Sequence, residues 1–396
     1  SLKLCHMGES QYDVVIVGAG AIGCCAAVHL APAHDVLVLE KDEITNSASA
    51  NASAHISDWW FFLEGEFIPG VTAAIRSFFD DLDGTAGFTF HDRDFVTLID
   101  DAETDSPEVQ DMRASAEQID GISYYTADEL ADRYPGVLHL EGVSGAVVDE
   151  HAGYVEPRSY LRAMKTTAEA DGAEFRTGTE VTDIHVEDGT VAGVGVDGAG
   201  RIEGDNVVVA AGTGSAGLLA DFVDLPVRPF VIYEAEVEWT SSSDEPIPTT
   251  AGRGTLVGVN EAGNLLVGDE YWVDDIANVP AGFPQEAKEK IADRLPQMLQ
   301  GIGTDYDYVE GSSHRCPEGI TITPDQLPVI DTVPGAEGLV VADGSRGAVS
   351  LAPPIALAIR ALLTGEETPF SLDRFELGRF ESEEAAFDLP MITEPR

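Results

Sequence analysis

Lysine is nearly missing from this chain of 396 residues: five lysines stand among 22 bases, against 71 Asp and Glu. The formal net charge is −49. That balance makes nucleic acid and anionic membranes poor partners, because their phosphates are repelled. Cysteine is scarce too. Cys5, Cys24, Cys25 and Cys316 form no Cys-x-x-Cys pair and no disulfide framework, which points to a reducing, cytoplasmic compartment. No apolar run approaches the roughly 18 residues that suggest a membrane span. Residues 1–11 hold no apolar signal core, and Met7 reads as the natural start, with Ser1–His6 added ahead of it. The nine histidines are scattered without ligand spacing, so no metal site is expected.

What is present is a folding chain. Hydrophobic residues make up 44% of it, enough for a substantial core in two domains. Regular strand and helix patterns, rich in Val, Ile and Leu, argue against disorder despite the charge. The acids read as a heavily hydrated surface suited to a halophilic, salt-rich cytoplasm, where counterions screen self-repulsion.

The most informative segment runs Tyr12-Asp-Val-Val-Ile-Val-Gly18-Ala-Gly20-Ala-Ile-Gly23, and Val36-Leu-Val-Leu-Glu40 then ends in an acid 17 residues after Gly23. A buried strand, a glycine turn, a helix over about 21–31 and a second strand stand in the order a dinucleotide needs. Gly18 permits the tight turn, Gly20 lets backbone approach a pyrophosphate, and Gly23 lets helix pack on sheet. The helix aims its N–H groups and positive dipole end at phosphate. Glu40 is placed to accept from the adenosine ribose, and it disfavours a 2′-phosphorylated nucleotide.

The small polar run Thr45–His55 reads as a loop passing a bound cofactor. Apolar spacing predicts a helix over 70–81, and Phe95–Ile99 predicts a strand. Thr126 is placed to cap a helix to Arg133, with Glu129 completing a capping box. Pro157 starts a helix to about Ala170, and a strand begins at Phe175. Asp188-Gly189 joins strands 181–186 and 191–196 as a hairpin, and Val207–Gly212 is a buried strand ending in glycine. Strands Val231–Trp239, Thr255–Val259 and Leu265–Val267 predict an antiparallel sheet in a separate domain. Leu339–Gly347 repeats the strand–glycine logic and leads into a helix from about Pro353 to Leu363. The acidic tail after Glu381 reads as solvated surface.

With these pieces placed, the chain resembles the FAD-dependent D-amino-acid oxidase superfamily, the group containing sarcosine oxidase, glycine oxidase and D-arginine dehydrogenase. The carrying segments are Gly18–Glu40, Ser47–His55, Gly153–Leu161, Val207–Gly212, Thr323-Pro-Asp-Gln-Leu-Pro-Val-Ile330 and Gly344-Ser-Arg-Gly347. The resemblance implies an α/β fold: a Rossmann-like FAD-binding domain with a parallel sheet, discontinuous over 12–95, 151–228 and 311–380. It also implies an α+β substrate domain on an antiparallel sheet, over 96–150 and 229–310. Gly18, Gly20, Ala21, Ile22, Gly23, Glu40 and Lys41 are implied in FAD binding. So are Ser47, Ala48, Ser49, Asn51 and Ala52, with Val181 at the adenine, Ala211 and Gly212 at the pyrophosphate, and Gly344, Arg346, Gly347, Ala348 and Val349 at the flavin. His55, Arg346 and Tyr233 are the implied catalytic candidates, with Trp59 and Trp60 as further candidate pocket walls. Asp94 falls near the acid that reads a basic side chain, with an ordinary surface acid as the plainer reading.

Departures from the family pattern matter as much. Ile232 and Ile320 stand where carboxylate-binding arginines are expected, leaving Arg228, Arg315 or Arg346 as replacements. Leu266 stands where sarcosine oxidase carries an oxygen-activating lysine; Lys3, Lys41, Lys165, Lys288 and Lys290 all fall in segments read as surface. That favours a dehydrogenase over an oxidase. Cys316 lies two residues off the spacing for covalent attachment, so FAD is expected to be noncovalent. The reading is oxidation of the C–N bond of an amino acid or N-methylated amine, by hydride transfer to flavin N5. Electrons pass to a quinone, an electron-transfer protein or oxygen. Three alternatives stay open: alcohol, hydroxy-acid or glycerol-3-phosphate oxidation on the same fold, an NAD-dependent dehydrogenase, and a flavin-carrying subunit without its own active site.

Overall fold

Strand β1 (Tyr12–Val17) turns Val14 and Ile16 to one apolar layer and Tyr12, Val15 and Val17 to another. Both faces are covered, which is why it reads as an unbroken apolar run. After the glycine turn come α1 (Ala21–Leu30) and β2 (Val36–Leu39). Cys24 and Cys25 are buried inside α1, where burial holds both thiols well above their ordinary range and leaves them packing residues. The computed structural model describes residues 12–57, 70–198, 200–238, 247–253, 255–273, 285–302, 319–344 and 347–380.

Short β3 (His55–Ile56) is followed by α2 (Val71–Leu82), β4 (His91–Asp92) and β5 (Phe95–Asp100). Next come α3 (Pro107–Ala116), β6 (Ile122–Thr126), α4 (Ala127–Arg133) and β7 (Val143–Asp149). Both halves of the expected capping box form at Thr126 and Glu129. Then follow β8 (Gly153–Tyr154), α5 (Pro157–Ala170), β9 (Glu174–Arg176), β10 (Val181–Glu187), β11 (Thr190–Val196) and β12 (Gly200–Val209). At the hairpin, Asp188 and Gly189 take φ of 53° and 84°, the left-handed pair of a tight turn.

The chain continues with α6 (Ser215–Leu219), β13 (Arg228–Val237), β14 (Thr249–Gly252), β15 (Thr255–Val259), β16 (Leu265–Val273) and α7 (Gln285–Met298). It closes with β17 (Ile320–Ile322), β18 (Val329–Thr332), β19 (Leu339–Asp343) and α8 (Ala348–Thr364). Helix α8 corrects the expected start at Pro353, since it begins directly off the glycine turn as α1 does. Pro353 and Pro354 lie inside it, leaving the carbonyls one turn back without their helical donors.

Five strands run parallel in the order β19-β12-β1-β2-β9. β18 adds antiparallel to β19, and the β10–β11 hairpin continues antiparallel from the first half of β12. α1 packs against α5 and α8 in the larger apolar layer. The second sheet has the order β17-β13-β16-β15-β14-β5-β7-β6 and is antiparallel except where β14 meets β5. Helices α4 and α7 share its core. Ile320–Ile322 enters this second sheet at its edge, beside Arg228–Phe230. A third, small antiparallel sheet, β3-β8-β4, lies in between in sequence and carries His55. Among the described residues no helix is long and apolar enough to cross a membrane.

Candidate active site

The glycine turn is built by contact. Gly18 has φ of 103°, and a Cβ there would stand 2.4 Å from the Ala210 carbonyl oxygen, so strand and turn demand glycine. A Cβ on Gly23 would lie 1.9 Å from the Gly18 oxygen. This is the close helix–turn approach expected of it. Gly20 is different: a Cβ would meet only Ser49 Oγ, at 3.3 Å.

Glu40 is buried at the end of β2, accepting the Ala19 N–H at 2.8 Å and the Asp42 N–H at 3.0 Å. Its carboxylate therefore fixes the glycine turn as well as facing the cleft beside it. The polar run after Glu40 folds back onto α1. Ser49 Oγ accepts the Ala21 N–H at 2.9 Å, and Asn51 Nδ2 donates to the Ser47 carbonyl at 3.0 Å.

These parts surround one cleft of about 830 Å³, counting its part open to solvent. Of the expected cofactor residues, Gly18, Gly20, Ala21, Ile22, Glu40 and Lys41 line it. So do Ser47, Ala48, Ser49, Ala211, Gly212 and Ala348. Gly23, Asn51, Ala52, Val181, Gly344, Gly347 and Val349 are not in the lining. Gly23 acts through packing, Asn51 ties down the loop, Gly347 precedes α8 as its cap, and Val349 is buried in the core. Val181 begins β10, beyond β11 from the parallel strands. Arg346, Trp59, Trp60, Arg315 and Cys316 fall outside the described residues, as do the side chains of Ile232 and Tyr233.

Asn46 of the Thr45–His55 loop lines the cleft too, while sequence reasoning missed Asp42, Ala210, Thr213, Gly319, Thr321, Ala342 and Asp343 in this lining, and weighed Ile320 only as a lost arginine. A signal for Asp343 existed: like Glu40, it is an acid closing a buried parallel strand. Its Oδ1 accepts from Thr321 Oγ1 at 2.5 Å and from the Gly344 N–H at 2.7 Å. Burial pushes its carboxyl up to about 6, against these hydrogen bonds and the nearby Ser215 hydroxyl, which favour the charged form.

His55 lies outside the cleft lining, where three parts of the fold meet. Its carbonyl accepts from Ser350 Oγ of α8 at 2.8 Å, and its Nδ1 lies 3.3 Å from Thr249 Oγ1 of β14. Gly258 of β15 makes room for the ring, since a Cβ there would stand 2.1 Å from His55 Cε1. Burial, reinforced by the Arg93 guanidinium, lowers its pKa to about 4, so the imidazole is neutral near pH 7. Asp94 is engaged structurally: it accepts from Arg133 Nη2 at 2.8 Å and Tyr134 Oη at 2.5 Å. Leu266 is buried in β16, paired across to Gly258 and Glu236. Among the described residues no group of three or more His, Cys, Asp or Glu could hold a metal ion.

The cleft fits a flavin dinucleotide by the chemistry of its lining: a glycine turn at a helix N-terminus for pyrophosphate, a buried acid for ribose hydroxyls, and apolar strand ends. The chain matches the family described as FAD dependent oxidoreductase, DAO, over residues 13–362. It is 24% identical to monomeric sarcosine oxidase of Bacillus sp. over 228 residues, spanning 56% of this chain and 57% of that protein. D-amino acid dehydrogenase of Cereibacter sphaeroides is 24% identical over 388 residues, 82% of this chain and 85% of the relative. The solved glycine oxidase from Geobacillus kaustophilus aligns with a TM-score of 0.75 at 22% identity, over 93% of this chain and 98% of that one. At that identity the likeness speaks for the fold.

Proposed function

This chain belongs to the DAO family of FAD dependent oxidoreductases, and from that premise we propose that it oxidises the C–N bond of an amino acid or N-methylated amino acid, as a dehydrogenase. FAD is its cofactor. When bound, FAD supplies the acceptor for the hydride leaving the substrate carbon. The observation that carries the binding reading is the convergence of the glycine turn, Glu40 and the Ser47–Ser49 loop on one cleft. The substrate class rests on the relatives, named for sarcosine and D-amino acids.

In this reading Glu40 and Lys41 hold the ribose end, and the α1 N-terminus with Ala211 and Gly212 holds the pyrophosphate without a covalent bond to the chain. The first sheet and its helices form the FAD domain, and the second sheet forms the substrate domain over it. His55 stays neutral and orients groups at the junction of the two sheets. Arg346 takes the substrate carboxylate, with Tyr233 as the aromatic neighbour. The dehydrogenase assignment is supported by Leu266, buried and apolar at the position where the sarcosine enzyme's pattern has lysine.

Half-buried Ile320 on the cleft favours one second reading, an alcohol or hydroxy-acid substrate with no arginine clamp at that position. A panel of D- and L-amino acids, N-methyl amino acids and 2-hydroxy acids, assayed with a dye acceptor and with air, separates the two. Turnover of amino acids with dye and little with air supports the proposal. Turnover confined to hydroxy acids overturns it.

A further inference from the structure

The small sheet β3-β8-β4 pairs His55 with Tyr154 and Tyr154 with His91. Residues opposed across antiparallel strands share a face, so these three rings form one row. The other face carries Ala54, Ile56 and Val155 into the larger apolar layer. The row meets the second sheet at β15. There the His55 ring fills the space a Cβ on Gly258 would take, and Arg93, two residues after His91, donates from Nη1 to the Val259 carbonyl at 3.2 Å. The Arg93 guanidinium lies over the Tyr154 ring, 4.6 Å from its centroid, and His91 stacks on the same ring at 4.6 Å. Gly258 pairs with Leu266, and their neighbours Val257 and Val267 turn the opposite way into the core shared with α4 and α7. The face of the second sheet that His55 covers is therefore the one that carries Leu266.

Arg93 is half-buried, and among the described residues no Asp or Glu pairs with it. Other packed arginines do find acids: Arg253 lies 2.7 Å from Asp100, and Arg379 lies 2.7 Å from Asp325. In a chain with 71 Asp and Glu, Arg93 is a partly desolvated cation without a counter-charge, which is costly unless an anion arrives from outside the chain. One side-chain hydrogen bond engages its donor fork, and the rest of that fork matches a planar carboxylate. We propose that Arg93 binds a second carboxylate of the substrate, carried on its side chain or N-substituent, and so makes this chain selective for acidic amino acids. This rests on the reading of the chain as an amino-acid oxidising enzyme with His55 beside the substrate and Arg346 on its first carboxylate. Arg93 lies further out than buried His55, beside His91, whose Nε2 meets exposed Glu261 at 3.1 Å. A substrate whose reacting end lies near His55 therefore extends its far end towards the guanidinium. Tyr154 sets the plane of that guanidinium and Val259 its direction.

The experiment gives the FAD-loaded full-length chain, with a dye acceptor, matched acid and amide substrates. These are aspartate against asparagine and glutamate against glutamine, in both enantiomers and as N-methyl forms. The wild type should favour the acid by roughly ten- to hundredfold in kcat/KM, the worth of a charge-assisted hydrogen bond. Arg93→Gln should bring that ratio close to one, and Arg93→Lys, which keeps the charge and loses the fork, should fall in between. A wild type that handles acid and amide alike overturns the inference. So does a Gln variant that keeps the ratio, whether or not both rates fall. Glutarate against its monoamide, titrated by the perturbation of the flavin spectrum, reads the same site without turnover and serves if a variant misfolds. Tighter binding of glutarate by the wild type supports the site, and equal binding overturns it. If no amino acid of either kind reduces the flavin, the C–N reading is refuted instead, and the glutarate titration still decides the role of Arg93.

Discussion

Gly23→Ala and Gly20→Ala should separate folding from cofactor binding within one glycine motif. Gly23 sits inside α1, where helix propensity alone would make alanine better by about 0.8–1 kcal/mol. The structure reverses that sign. The new Cβ would stand 1.9 Å from the Gly18 oxygen, 3.0 Å from its carbonyl carbon and 3.3 Å from Ile16 Cγ2. The first two are backbone atoms that cannot rotate away, so α1 must lift off the turn. Overpacking of this kind costs about 1–3 kcal/mol, and a backbone clash places it at the upper end. Gly20→Ala meets only Ser49 Oγ at 3.3 Å, so it should leave cofactor-free stability within about 0.5 kcal/mol of wild type. Its methyl group nonetheless enters the cleft and should weaken FAD binding. Denaturant unfolding of the flavin-free chains, with FAD titrations beside it, reads both quantities. If Gly23→Ala unfolds like the wild type, or Gly20→Ala loses as much stability as Gly23→Ala, the contact argument is wrong.

With a net charge of −49, the melting temperature should fall as salt is removed, since the Debye length grows from about 3 Å at 1 M to about 30 Å at 0.01 M. A salt-independent transition would show that fixed ion pairs already compensate the acids. His55 binds a proton less readily folded, at about 4, than at its ordinary 6.5, so the stability from keeping it neutral is full above pH 6.5 and lost as pH falls towards 4. By linkage the loss is about 3 kcal/mol, and His55→Gln should lose correspondingly less over that window; parallel profiles would contradict the burial argument. Leu266→Lys should quicken reoxidation of the reduced enzyme by air, read by stopped flow, and an already fast wild type would mark an oxidase.

Local chemistry was the legible part of this fold. The glycine spacing, the Thr126 capping box, the Asp188-Gly189 turn and the apolar runs of β1 and β12 each carry their own instruction within a few residues. Long-range pairing carries none. Nothing around Thr249 announces that β14 lies parallel to β5, nor around Ile320 that β17 joins the second sheet. The start of α8 was misread because Pro353 mimics a first-turn proline. At the cleft, the motif residues were readable and their partners were not. Asp343 was missed because its burial depends on Thr321 and Ser215, which come from other elements, and the room around His55 depends on Gly258 in a distant strand. Asp94 is an acid in an acid-rich sequence, and only the fold brings Arg133 and Tyr134 to it.

The central claim, FAD-dependent oxidation of a C–N bond, is tested most directly by a single anaerobic turnover. The purified yellow chain is mixed with an amino acid or N-methyl amino acid, and flavin bleaching is compared with release of ammonia or amine and of the carbonyl product. The account predicts bleaching matched one for one by amine and carbonyl. Bleaching by hydroxy acids alone, or with no amine released, would contradict it.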